Sequence, residues 1–345
     1  MITLQKPIKE ALPSVSVVIP TYNSSDSIKE CLKSVFDQDY PKENLEVIIV
    51  DGGSKDSTLE ILTEFKIKPY KVPPKDQEAE YNKGTGLLYA KNELVLFIDA
   101  DNILPHKNWL RNMVKPLMEN EQIVGCEVLR FHYNPKDYIL DRYFALLGGT
   151  DPVPYYLGKD AKLSWAFDKY NLLGESKDMG GYYLVKFSGK RLSTIGANGF
   201  ILRRKLLKFV KPGPLNFFHT DINFDLIQKG FNTYAFVKDD IIHFKRTKIS
   251  YFIKFLLRRK YIMETQYFER INRRRHAVYV AETDRWNLIK YIVYAITFIK
   301  PTYDAIRGYR KVRDVAWFLH PIVCFGFLIV YSWAVIARTI KRVLV

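Results

Sequence analysis

Cysteine is scarce in this chain. Cys31, Cys126 and Cys324 are its three cysteines in 345 residues, far apart and with no Cys-x-x-Cys spacing. That excludes a disulfide framework or a zinc-finger site and fits a reducing compartment. The opening MITLQKPIKEALP has no apolar h-region, so no secretory signal is expected. Neither Gly-x-Gly-x-x-Gly nor Gly-x-x-x-x-Gly-Lys-Ser/Thr follows the first apolar run, which removes the dinucleotide fingerprint and the P-loop. Gly (18) and Pro (16) are too few, and hydrophobic residues (48%) too many, for a collagen-like or disordered chain. Acidic residues run short only in the C-terminal third: residues 241–345 hold 21 Lys and Arg against 6 Asp and Glu, whereas residues 1–240 hold 32 against 31. The net +16 is thus a neutral body with a tail of +15, so one face or tail carries the charge and no nucleic-acid partner is expected. The length suggests about two domains and ample material for a core.

What is present reads as alternating strands and helices. Val15-Ser16-Val17-Val18-Ile19, stopped by Pro20, has the β-branched content of a buried parallel strand. Ser24, Ser25 and Asp26 offer N-caps to a helix carrying Ile28, Leu32, Val35 and Phe36 at helical spacing. Val47–Val50 and Leu94–Ile98 predict two further strands, with a helix starting near Asp56-Ser57-Thr58 between them. The alternation implies a parallel α/β sheet, in which ligands bind at the carboxyl ends of strands.

Three polar endings meet there: Pro20-Thr21-Tyr22-Asn23, Asp51-Gly52-Gly53-Ser54 and Asp99-Ala100-Asp101. Asp and Gly terminate many strands, but three such endings in register are poorly explained by coincidence. Asp99 and Asp101 leave one strand end together as two hard oxygen ligands, suited to Mg²⁺ or Mn²⁺ bridging a diphosphate. Asp51 is read as an acceptor toward a nucleobase or ribose, with Gly52 and Gly53 admitting backbone close to the ligand.

IPTYN (Ile19 to Asn23), VDGGSKDST (Val50 to Thr58), Asn82-Lys83-Gly84 and LFIDAD (Leu96 to Asp101) together resemble the GT-A-fold glycosyltransferases of family 2, over about residues 14–245. The resemblance implies a mostly parallel α/β sheet flanked by helices. It also implies an inverting transferase that uses a nucleotide-diphosphate sugar and a divalent cation, Mn²⁺ or Mg²⁺. It puts Pro20, Thr21, Tyr22, Asn23, Asp51, Gly52, Gly53, Asn82, Gly84, Asp99 and Ala100 around the nucleotide sugar, and Asp101 with Asp99 at the metal. His243, after a short apolar segment, resembles a histidine that completes the metal's ligand set in related enzymes. Two departures stand out: Gly52 replaces a frequent second Asp, and Glu80-Tyr81 stands where an Arg commonly precedes Asn-x-Gly. One phosphate or ribose contact is therefore expected to differ.

Residues 140–195, rich in Gly, Tyr, Asp and Lys, read as irregular acceptor-side loops. Gly196 to Phe200 resembles the family's segment lining donor and acceptor; Arg203 and Arg204 lie either near phosphates or on an exposed helix. Inversion needs a base for the acceptor hydroxyl. The family supplies it from a Glu-Asp pair ahead of Leu-x-x-x-Gly-aromatic, here Leu226 to Phe231. Phe218 and His219 occupy those two positions, and Asp221 follows. Asp221 is the first candidate base and His219 the second; Asp221 as the cap of a helix at 222–229 is the plain alternative.

The tail reads as a membrane module. Ile249, Phe252, Ile253 and Leu256 at helical spacing, among Lys254, Arg258, Arg259 and Lys260, make a basic amphipathic helix, followed by Arg273-Arg274-Arg275. Val315 to Ala337 is 23 residues without a formal charge, about 34 Å of helix against a hydrocarbon core of about 30 Å. Trp317, Trp333 and basic flanks suit a transmembrane helix. A re-entrant or interfacial hairpin with 286–299 and a buried helix packed on the catalytic domain are the alternatives. The expected organisation is an N-terminal extension (1–13), a catalytic domain (14–245, divided at 125/126 into nucleotide-sugar and acceptor halves) and the tail (246–345).

The whole reads as a membrane-associated transferase whose catalytic domain faces the cytoplasm. Its acceptor is a lipid-linked one, a polyprenyl phosphate or lipid-linked saccharide. A metal-dependent nucleotidyltransferase and a non-catalytic basic membrane- or RNA-binding protein are the rivals.

Overall fold

A computed structural model describes residues 12–170, 172–188, 191–243, 247–267 and 279–343. The N-terminal extension through residue 11, the boundary at 245/246 and the Arg273-Arg274-Arg275 run lie outside these residues.

The first apolar run forms β1 (Val15–Thr21), followed by α1 (Ile28–Phe36), β2 (Leu45–Asp51), α2 (Thr58–Glu64), β3 (Tyr70–Lys71), α3 (Ala79–Tyr89), β4 (Leu94–Phe97), β5 (Asn102–Ile103) and α4 (Trp109–Glu119). Then come β6 (Gly125–Phe131), α5 (Ile139–Leu147), α6 (Pro152–Leu157), β7 (Glu175–Asp178), β8 (Tyr182–Lys186), β9 (Phe200–Arg203), α7 (His219–Gln228) and β10 (Thr233–His243). The sheet runs β3-β2-β1-β4-β9-β6-β10-β8-β7, with β5 paired to the end of β10. Its first half is parallel, as the alternation predicts. In its second half β9 runs antiparallel to β4 and β6, and β10 is parallel to β6 but antiparallel to β8.

Period-two alternation sorts the strand residues between two helix layers. Val15, Val17 and Ile19 of β1 join α1, α2 and α4 on one face; Val18 joins α3 and α7 on the other. Each fully buried Val or Ile contributes about 1.5–3 kcal/mol of transfer free energy, so strands apolar on both sides can lie only between two such layers.

Two expectations change. Residues 140–195 are irregular only in part: α5, α6, β7 and β8 interrupt the loops, which take up the described residues of 158–174 and 187–195. The helices are short, and each ends at a left-handed glycine, Gly148 (φ 92°) and Gly158 (φ 67°), while β7 is exposed throughout, so neither periodicity registers in the sequence. Arg203 and Arg204 are remote from any phosphate site. Arg203 pairs with Leu94 at the amino end of β4 and donates to the carbonyls of Leu117, Asn120 and Ile123, while Arg204 donates to the Asn92 carbonyl.

The tail forms α8 (Phe252–Tyr261), α9 (Ala281–Thr297), α10 (Ile299–Lys311), a 3₁₀ turn (Val315–Leu319) and α11 (His320–Val343). The predicted stripe on α8 splits: Leu256 is buried, while Ile249 and Ile253 are exposed. Leu256, Ala305, Trp317, Val323 and Phe327 share one core with Leu140, Tyr143 and Leu147 of α5. Among the described residues one helical stretch, Val315–Lys341, is long and apolar enough to cross a membrane by length and composition.

Candidate active site

The three polar strand endings do meet at one edge of the sheet, and each is braced. Thr21 and Asp51 are register partners on β1 and β2. The Asp51 carboxylate accepts from Thr21 Oγ1 (3.2 Å), Ser54 Oγ (2.5 Å), Gly53 N (2.9 Å) and Ser54 N (3.0 Å). Both oxygens are therefore engaged, and Asp51 acts here as the brace of its own turn; a nucleobase would have to displace one of these donors. Gly52 admits protein rather than ligand, since an added Cβ would stand 2.1 Å from Gln77 Cγ. Gly53 supplies the left-handed step of the turn (φ 88°). Pro20 and Thr21 are buried, Tyr22 is exposed at the mouth, and Asn23 adopts φ 47° while its Oδ1 accepts from Lys55 N (2.8 Å).

The Asp99-Ala100-Asp101 ending is held by a residue the sequence did not single out. Asn102 is fully buried; its Oδ1 accepts from Asp99 N (2.9 Å) and its own N–H returns to the Asp99 carbonyl (2.9 Å). Asn102 is also the register partner of His243 across the β5–β10 pair. That pairing carries His243 Nε2 to 3.2 Å from Asp101 Oδ2. A one-residue bulge between Val237 and Asp240 precedes it. The bulge is anchored where His106 Nε2 and Asn112 Nδ2 meet Asp239 (3.0 and 2.9 Å) and His132 Nδ1 meets Asp240 (3.0 Å). The hydrogen bond to Asp240 raises the His132 pKa above its ordinary value.

Asp99 is turned toward Lys83 rather than toward His243. Its Oδ1 lies 2.8 Å from Lys83 Nζ, and no group of three or more His, Cys, Asp and Glu side chains assembles among the described residues. One carboxylate and one imidazole side by side remain a hard, borderline donor pair of the kind Mn²⁺ or Mg²⁺ accepts, with positions left over for diphosphate oxygens.

From Asp99 a chain of charges runs to the acceptor side. Buried Lys83 lies 3.5 Å from Glu80 Oε1, and Glu80 Oε2 accepts from both His219 N (3.0 Å) and His219 Nδ1 (2.9 Å). Burial pushes the Glu80 carboxyl up, but His219 and Lys83 more than offset it and hold the pKa well below the usual range. Burial works against the Lys83 ammonium too, yet Asp99 and Glu80 keep its pKa above the ordinary value. Glu80 and Lys83 were absent from the sequence-based site; the signal was the departure at Glu80-Tyr81, where the expected cation is replaced by a carboxylate.

Helix α7 starts at His219, with Phe218 as its N-cap, so Asp221 lies in the first turn and does not cap it. Two residues at 3.6 per turn separate the side chains of His219 and Asp221 by about 200°, so they point to opposite sides of the helix. The segment Gly196 to Phe200 abuts His219: a Cβ on Gly196 (φ 116°) would stand 2.9 Å from His219 Cβ, and Gly196 N donates to the buried Glu127 Oε2 (2.9 Å). Asn82 is buried with its Oδ1 unpartnered among the described residues. Gly84 lets the segment carrying His219 approach α3, since a Cβ there would lie 2.6 Å from Phe217 Cβ and 3.0 Å from Pro214 Cα. Gly84→Ala is therefore expected to cost about 1–3 kcal/mol, read as a lower urea midpoint at unchanged m, and to part His219 from Glu80.

A mixed α/β sheet flanked by helices, with polar strand ends gathered at one edge, is the architecture of a GT-A glycosyltransferase domain. Residues 16–184 match the model of the family described as glycosyl transferase family 2, the family that the sequence motifs resemble. It is 36% identical over 137 residues to the glycosyltransferase AglE of Haloferax volcanii (38% of this chain, 44% of that protein). It is 40% identical over 212 residues to a poly(ribitol-phosphate) beta-glucosyltransferase of Bacillus spizizenii (52% and 33%). These matches span less than half the length of each relative. The fold is similar to that of the mannosyltransferase PcManGT from Pyrobaculum calidifontis, solved with GDP-Man and Mn²⁺, at TM-score 0.53 and 19% identity over 96% of this chain and 91% of that one.

Proposed function

We propose that the protein is an inverting glycosyltransferase that moves a sugar from a nucleotide-diphosphate sugar to a lipid-linked acceptor, with His219 as the base. The observation that carries the base assignment is the double acceptance by Glu80. It assigns the Nδ1 proton of His219 toward the carboxylate and leaves Nε2 to take a proton. The acceptor oxygen then bonds to the anomeric carbon from the face opposite the leaving group, its proton passes to His219 Nε2, and the C–O bond to the diphosphate breaks with its electron pair on phosphate. Asp101 and His243 would hold a divalent cation, which when bound supplies positive charge to the leaving diphosphate. Lys83 orients Asp99 toward the donor, while Thr21, Tyr22 and the turn braced by Asp51 form the nucleoside side.

The test is a donor panel with purified protein, Mn²⁺ and a lipid extract, following label into lipid and nucleoside diphosphate release. Transfer with stoichiometric nucleoside diphosphate is the expected result. Inorganic diphosphate from a nucleoside triphosphate would instead mark a nucleotidyltransferase, and no turnover with any donor would favour a binding protein.

A further inference from the structure

The apolar stretch from Val315 to Lys341 has the length of a membrane span, but its inner face is already taken. His320 is buried between two catalytic-domain tyrosines: its Nδ1 lies 2.7 Å from Tyr143 Oη and its Nε2 lies 3.0 Å from Tyr156 Oη. Tyr156 donates onward to Asp304 (3.1 Å), which makes His320 a neutral, Nε2-protonated ring, and burial lowers its pKa to about 3. One turn on, the Cys324 carbonyl accepts from Tyr291 of α9 (2.8 Å), and further along Tyr331 donates to Asp151. Polar contacts to the domain and to α9 thus recur over three turns of α11.

Two routes to a span are open, and both are costly. Detaching α11 would leave the hydroxyls of Tyr143 and Tyr291 without partners, at about 1–3 kcal/mol for each buried group, and would open the core around Phe327 and Trp317. Carrying the packed domain along would take Asp151 and Asp304 into hydrocarbon, where an Asp costs about 2.5–3.5 kcal/mol on insertion scales.

The outer face is different. Ile322, Ile329, Trp333, Ile336 and Ile340 are exposed at helical spacing along α11. On α9, exposed Trp286, Ile289, Val293 and Ile296 share a face with exposed Lys290; on α8, exposed Ile253 and Leu257 share one with Lys254 and Arg258. Phe298 and Phe325 join the α9 and α11 surfaces, with ring centroids 5.2 Å apart. Apolar side chains interleaved with Lys and Arg on one face are the pattern of a helix lying in an anionic membrane interface, where each basic residue adds about 1 kcal/mol.

We infer that α8, α9 and α11 form an in-plane platform that seats the protein on one leaflet of an anionic membrane, and that Val315–Lys341 does not cross it. This rests on the membrane-bound acceptor proposed above and specifies how the enzyme reaches it. The platform is also close to the chemistry: Phe131 stacks on His243 (5.4 Å), and two residues later Tyr133 donates to Asp314 (2.6 Å), which caps the 3₁₀ turn leading into α11. An acceptor headgroup in the same leaflet would lie beside the strand ends.

The test uses full-length protein with a C-terminal epitope tag, added to vesicles of phosphatidylcholine and phosphatidylglycerol (7:3) and to pure phosphatidylcholine, with sugar transfer to a short-chain soluble acceptor assayed in parallel. The expected result is sedimentation with the anionic vesicles only, with the tag cleaved by external protease. Lipids brominated near the headgroup should quench the wild type, and the W286F and W333F variants should each lose an equal share of that quenching. A protected tag on sedimenting protein overturns the in-plane geometry in favour of a span. Failure to sediment with the anionic vesicles overturns the platform itself, while loss of transfer with sedimentation intact overturns only the reading it rests on.

Discussion

Asp101→Ala is expected to lower turnover by about 10²–10³-fold while leaving the fold in place. A cation neutralising a leaving diphosphate supplies several kcal/mol, and each 1.36 kcal/mol is a factor of ten. Asp99 lies against Lys83, so the proposed cation site rests chiefly on the Asp101 carboxylate and the His243 imidazole. Removing Asp101 leaves His243 alone, a single neutral ligand with no charge to set against a divalent ion. The Asp101 side chain is 34% exposed, so its loss opens no cavity. Manganese binding followed by titration should weaken in parallel with turnover, with the urea midpoint unchanged. Wild-type manganese affinity in the variant would remove Asp101 from the site.

The second large effect concerns His219. His219→Gln should cost about 10²–10⁴-fold in kcat for an acceptor that reacts through a hydroxyl, the range that general base catalysis supplies. The same variant should lose less than about tenfold if the acceptor reacts through a phosphate, which is already anionic, so the size of the loss reports the acceptor's chemistry. Glu80→Gln separates base from positioner. It keeps an oxygen for His219 N and Nδ1 but removes the carboxylate charge beside the ring. kcat should therefore fall while KM for the donor changes little. An unchanged kcat would mean that Glu80 only shapes the helix start. Glu80 itself stays ionised throughout, because its carboxyl is held far below the ordinary range. The stability it confers is present above the ordinary Glu pKa of about 4.3 and is lost as pH falls through the depressed native value.

The parallel half of the sheet was readable because it is local. Val15 to Ile19, Val47 to Val50 and Leu94 to Ile98 are continuous apolar runs that end in polar residues, and burial on both faces is what makes them continuous. The DxD ending was legible for the same reason. What could not be read arises from pairings between distant segments. That Asp101 and His243 belong together was implied by the family resemblance; the pairing of β5 with β10 beyond a bulge that joins them was not, because two residues of strand at 102–103 carry no periodicity. Glu80 meets His219 because Gly84 admits the 213–217 segment, a matter of one absent Cβ. His106 and His132 had no distinguishing context in the sequence, yet both anchor the strand that delivers His243. The tail was read by length and composition; its polar ties to the domain, His320 and Tyr331, depend on partners over 160 residues away.

The β5–β10 pair also sets when this enzyme becomes competent. Asp101 leaves the ribosome roughly 140 residues ahead of His243, about 7–30 s at a synthesis rate of about 5–20 residues per second. Throughout that interval the nucleotide side is complete in sequence while the sheet lacks the strand that sits between β6 and β8. Such a strand must insert between two neighbours, and pairings of this sequence separation are slow to form. Until it does, the nascent protein exposes one carboxylate and no imidazole. On the proposed cation site, capture of a divalent ion is expected late in biogenesis, and it would serve as a sensor that the last strand has locked into place.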